Sequence, residues 1–208
     1  MVDNDKENPA ELFELACQHI ADNKPDKAIP LLKKAADRGH AFAASNLGIC
    51  FYFGDGVEQS FEDAFECFNI ALRSNDPTAF YYMARMYRHG EGRKRDFRVA
   101  LEYYTKAAMA GMAEAQCELA ELYVTGEHLG IERDLRRAVH WFAYAAQQGN
   151  AEAEAKFNML YYHGYETTEK PTGFWFERES LENRKIPSSE PFSVLINEGD
   201  YVADIMFK

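Results

Sequence analysis

Four stretches of this chain carry the same pattern at a nearly constant interval, and that periodicity limits the fold more than any other feature. Leu47-Gly48 to Gly54, Met83-Ala84 to Gly90, Leu119-Ala120 to Gly126 and Phe157-Asn158 to Gly164 agree in residue type and spacing. Phe51, Tyr87, Tyr123 and Tyr161 fall in register within them. A second half repeats behind the first three. Ala64, Ala100 and Ala138 are each followed four residues on by an aromatic (Phe68, Tyr104, Phe142), then by Ala71, Ala107 and Ala145. Gly111 and Gly149 close two of the units, with Asn75 as their counterpart in the unit before. Counting from Ala41, the units 41–76, 77–112 and 113–150 hold 36, 36 and 38 residues, and the two extra residues fall in the loop 126–130. Self-similarity at such a period marks stacked repeats, in which no unit can bury its apolar face alone.

Each unit reads as a helical hairpin. Phe80, Met83, Ala84 and Tyr87 recur with the helical rather than the strand period. Gly90 and Gly92 follow, and glycine readily enters the left-handed conformation that ends a helix. The second helix opens on Ser60, Asp96 or Asp134, whose side chains accept from N–H groups left free in a first turn. Its inward stripe in one unit is Phe97, Ala100, Leu101, Tyr104, Ala107 and Ala108. Alternating small and large residues lets neighbouring helices approach closely and interlock.

The run Leu47-Gly48 through Phe51, Gly54-Asp55-Gly56-Val57, Ala64, Phe68 and Ala71 resembles the Sel-one-like repeat (SLR), a relative of the tetratricopeptide repeat (TPR). The Gly-x-Gly loop and the 36-residue period favour SLR over TPR, whose unit is about 34 residues. Residues 7–40 look like a degenerate first unit, in which Ala28, Leu32, Ala35, Ala36 and Gly39 keep the second-helix pattern without the Gly-x-Gly loop. Residues 151–164 match only a first helix. The resemblance implies an all-α, right-handed α/α superhelical solenoid over residues 1–164. It also implies adaptor or scaffold work: a non-catalytic module that binds a partner protein or peptide through its groove. A bacterial immunity-type protein that neutralises a cognate toxin or effector is the alternative, and a β-lactamase-like hydrolase a second one.

Composition narrows these classes. Of the 208 residues 47% are apolar, enough for a sizeable core spread along a solenoid. No run of roughly 18 apolar residues exists, and Met1-Val-Asp-Asn-Asp-Lys-Glu has no basic start leading into an apolar stretch, so a cytoplasmic protein without membrane insertion is expected. The net charge of −11 argues against nucleic acid as the main partner and would speed association with a basic protein. Cys17, Cys50, Cys67 and Cys117 show no periodic pairing and read as reduced thiols, although Cys50 and Cys67 lie on the two helices of one hairpin. The six histidines form no His-x-x-x-His pair and no Cys-x-x-Cys exists, so no metal or cofactor is expected. Ser-x-x-Lys, Ser-Asp-Asn and Gly-x-Ser-x-Gly are absent, and Lys170-Pro-Thr-Gly173 resembles Lys-Thr-Gly only distantly. No catalytic residue is assigned.

Surfaces remain as the carriers of function. In a stacked-hairpin solenoid the first helices line one face, and positions not needed for packing are free to bind. Helical spacing places Phe42, Asn46, Ile49 and Phe53 there, then Thr78, Tyr82, Arg85 and His89, then Glu118 and Glu121, then Lys156 and Met159. Aromatic residues and arginine are the types enriched at binding hot spots. A second candidate is a basic edge made by Arg93, Lys94, Arg95 and Arg98, with Arg133, Arg136 and Arg137 in nearly the same register one unit later. Arginine at a helix N-terminus opposes the helix dipole, so an acidic partner or simple solvation accounts for it. Beyond Gly164 the helical period stops. Phe192, Val194 and Ile196, then Tyr201, Ala203, Ile205 and Phe207, alternate about Asn197-Glu-Gly-Asp200, which predicts a β-hairpin over 191–208 inside a small β-rich appendage, 165–208. That appendage is expected to cap the last repeat or to contact a partner.

Overall fold

The computed structural model describes residues 8–126 and 130–162. Nine helices run through the described residues: α1 (Pro9–Ala21), α2 (Pro25–Asp37), α3 (Ala41–Phe53), α4 (Phe61–Leu72), α5 (Pro77–His89), α6 (Phe97–Met109), α7 (Ala113–Thr125), α8 (Leu135–Gln147) and α9 (Ala151–Tyr162). Each helix packs on the next in an all-helical solenoid of hairpins. The expected β-hairpin over 191–208 and the appendage 165–208 that holds it lie outside the described residues.

Local chemistry sets the ends of these helices. Ser60 accepts from the N–H of Asp63, Asp96 from those of Arg98 and Val99, and Asp134 from that of Arg137, so all three expected caps are made. Four further caps escape the pattern: the Asp76 carboxylate accepts from Thr78 N–H, Asn8 from Ala10 N–H, Asn150 from Ala153 N–H, and His40 Nδ1 from Ala43 N–H at 3.1 Å. In the loop after α5, Gly90 takes φ 77° and turns the chain. Gly92 has a second duty: a Cβ there would stand 2.8 Å from Cβ of Phe61, so its bareness lets the loop lie against the preceding unit. The fourth unit departs from this scheme. Gly126 has φ 15° rather than a left-handed value, and among the described residues of the lengthened loop Gly130 is left-handed, at φ 70°.

The core repeats in columns. Ala28, Ala64, Ala100 and Ala138 are buried, as are Leu32, Phe68, Tyr104 and Phe142 four residues on. Leu47, Met83, Leu119 and Phe157 meet them from the first helices. Burying a side chain the size of Leu32, Phe68 or Phe142 contributes ~1.5–3 kcal/mol each, so these columns hold the units together. Two stretches of core join at the seam between α4 and α5, where Leu72, Tyr82, Tyr87 and Tyr103 touch both. The first unit is the irregular one: α2 lacks a side-chain cap and carries Pro30 in its interior, where the ring removes a backbone donor.

Candidate partner-binding face

The first helices α1, α3, α5, α7 and α9 form a row whose side chains touch from unit to unit. Phe13 of α1 meets Phe42 of α3, Tyr52 and Phe53 of α3 meet Tyr82 of α5, Arg88 of α5 pairs with Glu118 of α7, and Lys156 of α9 pairs with Glu121. On each of α3, α5 and α7 the open stripe holds four positions: Phe42, Asn46, Ile49, Phe53; Thr78, Tyr82, Arg85, His89; Glu114, Glu118, Glu121, Thr125. Ten of the twelve residues expected on this face fall on these three stripes, and Lys156 and Met159 lie on α9.

They divide into two kinds. Phe42 is 58% exposed, Phe53 56% and Met159 49%, values that mark large apolar groups left to solvent. His89 is exposed at the last turn of α5. The others are half-buried, and several are already engaged. Asn46 Nδ2 donates to the Phe42 carbonyl at 2.8 Å, while Glu118 and Glu121 hold Arg88 and Lys156. Tyr82 lies flat on Phe68 of α4, with centroids 5.2 Å apart and planes inclined by 3°. Tyr82 therefore packs a seam as well as facing the row, and its removal would open a hole.

The charged part of the row has its own geometry. A pocket of about 310 Å³ lies between α5, α7 and α9, lined by Tyr81, Arg88, Glu114, Cys117, Glu118, Glu121, Asn150, Glu152 and Lys156. Burial disfavours the Lys156 ammonium, but the hydrogen bonds it donates to Glu121 and Glu152 outweigh that and raise its pKa. The Arg85 guanidinium carbon stands 5.5 Å from the centre of the Tyr52 ring and 5.8 Å from that of Tyr81. Burial pushes the hydroxyls of Tyr52, Tyr81 and Tyr82 above the ordinary tyrosine range, and at Tyr52 the hydrogen bond to Glu91 adds to the shift. These hydroxyls thus stay neutral, and the oxygens of Tyr52 and Tyr81 accept from the Arg85 guanidinium. Tyr52, Tyr81, Glu114 and Glu152 were not singled out by helical spacing, and only the tandem Tyr81-Tyr82 hints at a second aromatic aimed across the row.

The basic edge is more committed than its sequence suggests. Arg93 lies 3.7 Å from the centre of the Phe65 ring and 3.5 Å from Glu66, both on α4 of the preceding unit. Arg95 covers Phe97, and Arg98 Nε donates to the Gly130 carbonyl at 3.4 Å, so the loops of successive units abut. Arg137 pairs with Asp134 at 3.2 Å, Arg136 is half-buried and Lys94 is exposed. Among the described residues no group of three or more His, Cys, Asp or Glu is placed to hold a metal, and no described helix is long and apolar enough to cross a membrane.

Stacked hairpins with side-chain seams and an open first-helix row define a helical-repeat protein. The Sel1 repeat matches residues 21–40, 41–76, 77–112 and 113–150, more than half of the chain, and the chain belongs to that family. A solved Sel1 repeat protein from Oxalobacter formigenes superposes with a TM-score of 0.70 at 28% identity, covering 82% of this chain and 70% of that one. The Arabidopsis thaliana ERAD-associated E3 ubiquitin-protein ligase component HRD3B is 32% identical over 88 residues, which are 42% of this chain and 15% of that protein. The exopolysaccharide production negative regulator of Rhizobium meliloti is 29% identical over 133 residues, 57% of this chain and 50% of that protein. The chain thus spans half or less of the length of these two relatives.

Proposed function

We propose that this chain is a non-catalytic protein-binding module, an adaptor or scaffold, that holds a segment of a partner protein against its first-helix row. The observation that carries the reading is the exposure of Phe42 and Phe53 on that row, beside arginine and tyrosine, where the other large aromatics of described burial are buried or half-buried. Membership of the Sel1 repeat family supports it, as do relatives named as a component of a ligase and as a regulator.

The test is affinity capture from an extract of the source organism, comparing the wild-type chain with a Phe42→Ser, Phe53→Ser double variant. Both rings are more than half exposed, so the variant should melt within a few degrees of wild type. Partner capture should fall strongly. An unchanged set and amount of captured protein would sink the assignment of this face.

A further inference from the structure

Arg85 differs from its charged neighbours. Arg88 is paired with Glu118, and Lys156 with Glu121 and Glu152. Among the described residues no carboxylate lies within ion-pair distance of Arg85, and its Nε is buried without a hydrogen-bond acceptor. Glu91, the acid on the loop behind α5, is occupied by the Tyr52 hydroxyl. A half-buried guanidinium has lost part of its hydration, and the rings and hydroxyls of Tyr52 and Tyr81 replace it with neutral contacts that bring no counter-charge. Its planar fork of donors matches a carboxylate in two parallel hydrogen bonds, an arrangement stronger than a ring contact.

We propose that Arg85 is the seat for a carboxylate carried by a partner segment, an inference that rests on the protein-binding reading above. The surroundings say what flanks that carboxylate. On the α3 side stands Phe53, exposed, with its ring edge on Tyr82, and it takes an apolar side chain. On the α7 side Tyr81, which flanks Arg85, also lines the pocket of Glu114, Glu118, Glu121 and Glu152. Only Arg88 and Lys156 offset those four acids. Their field disfavours a run of acidic residues and favours a lysine or arginine beside the seated carboxylate. The occupant is therefore a segment with an apolar side chain, one aspartate or glutamate, and a basic residue, in that order across the row.

The probe is a phage-displayed library of random dodecapeptides panned on the full chain. The best peptide is then made with a fluorescent label, as the parent and with its acid changed to the amide. Selected peptides should share an acid next to an aromatic or aliphatic residue. Converting the acid to the amide should weaken binding about tenfold, and Arg85→Gln should weaken the parent by a similar factor while leaving the amide peptide unchanged. If Arg85→Gln lowers the melting temperature, the amide peptide on the wild-type chain decides. Peptides that lose binding in the Phe42→Ser, Phe53→Ser variant but carry no acid and ignore Arg85→Gln would overturn the seat and leave the binding module standing. No enrichment over an immobilised control, with capture unaltered in that double variant, would overturn both. A wild-type dimer in sedimentation that Arg85→Gln dissolves would give the seat to a second copy and overturn the partner assignment.

Discussion

Replacing Gly48 with alanine should destabilise the protein, although alanine is the better helix former. Gly48 lies inside α3, where the substitution by itself gains ~1 kcal/mol of helix propensity. A Cβ built there, however, would stand 2.7 Å from Cε1 and 2.9 Å from Cδ1 of Phe68, a ring with no exposed surface. Overpacking of this kind costs ~1–3 kcal/mol, so the net loss is about 1 kcal/mol, or a fall of about 2–4 °C in melting temperature for a chain of this length. The same register holds Ala84 and Ala120 in later units, which share a core cluster with Tyr104 and Phe142. The second unit differs because Phe68 is clamped from its other side by Tyr82, stacked at 5.2 Å. Urea titration followed by far-ultraviolet circular dichroism reads the effect, in wild type and in a Phe68→Leu background. In that background the leucine frees the space, and Gly48→Ala should become neutral or gain the ~1 kcal/mol that propensity alone predicts. A gain of equal size in both backgrounds would refute the steric argument.

Tyr104 is fully buried, and its hydroxyl meets only the Arg88 guanidinium, outside good hydrogen-bond geometry, whereas Phe68 and Phe142 fill the same register elsewhere. Tyr104→Phe should therefore raise stability by about 1 kcal/mol in a thermal melt, and a loss of that size would show the hydroxyl to be bonded. Alkylation with iodoacetamide followed by mass spectrometry should modify exposed Cys17 first. Burial pushes the thiols of Cys67 up to about 12 and of Cys117 up to about 11, so both should resist labelling at mildly alkaline pH until the chain unfolds, and their early modification would contradict the packing. His140 on α8 has its pKa held below the ordinary value of 6.5, by burial first and by Arg136 second, against the pull of Asp134. The unfolded chain then binds the proton more readily, so this stability is intact above pH 6.5 and is lost as pH falls towards the folded pKa. His140→Gln should flatten the fall in melting temperature between neutral and mildly acidic buffer, and an unaltered slope would exclude His140 as its source.

The hairpins were legible because their determinants are local and recur. Ser60, Asp96 and Asp134 cap where spacing puts them, and Asn75, the counterpart of Gly111 and Gly149, takes φ 54° as they take positive values. Helical period likewise finds the open stripe, since it depends only on which face of a helix is buried. What spacing could not supply is the lean of a side chain across the row. Tyr82 is level with Asn46 in register, yet it packs on Tyr52, Phe53 and Phe68, and Arg88 reaches Glu118 rather than its counterpart in the next unit. Those choices follow from rotamer and size in the neighbouring unit. His40 as a helix cap was hidden for another reason: imidazole is an uncommon acceptor there, and only the position of its Nδ1 reveals it.

At one register the units meet through three unlike contacts: Tyr82 lies on Phe68, Glu118 pairs with Arg88, and the Lys156 ammonium stands 5.8 Å over the ring of Phe142. The units therefore share a shape without being interchangeable parts. A duplication or shuffle that set the fourth unit behind the second would bring a carboxylate onto the face of Phe68, a contact the ring's own negative face opposes. Viable rearrangements would have to carry neighbouring units together, cutting inside a hairpin rather than between hairpins. Lineages descended from such events would then show breakpoints in the Gly-x-Gly loops, with each seam inherited whole.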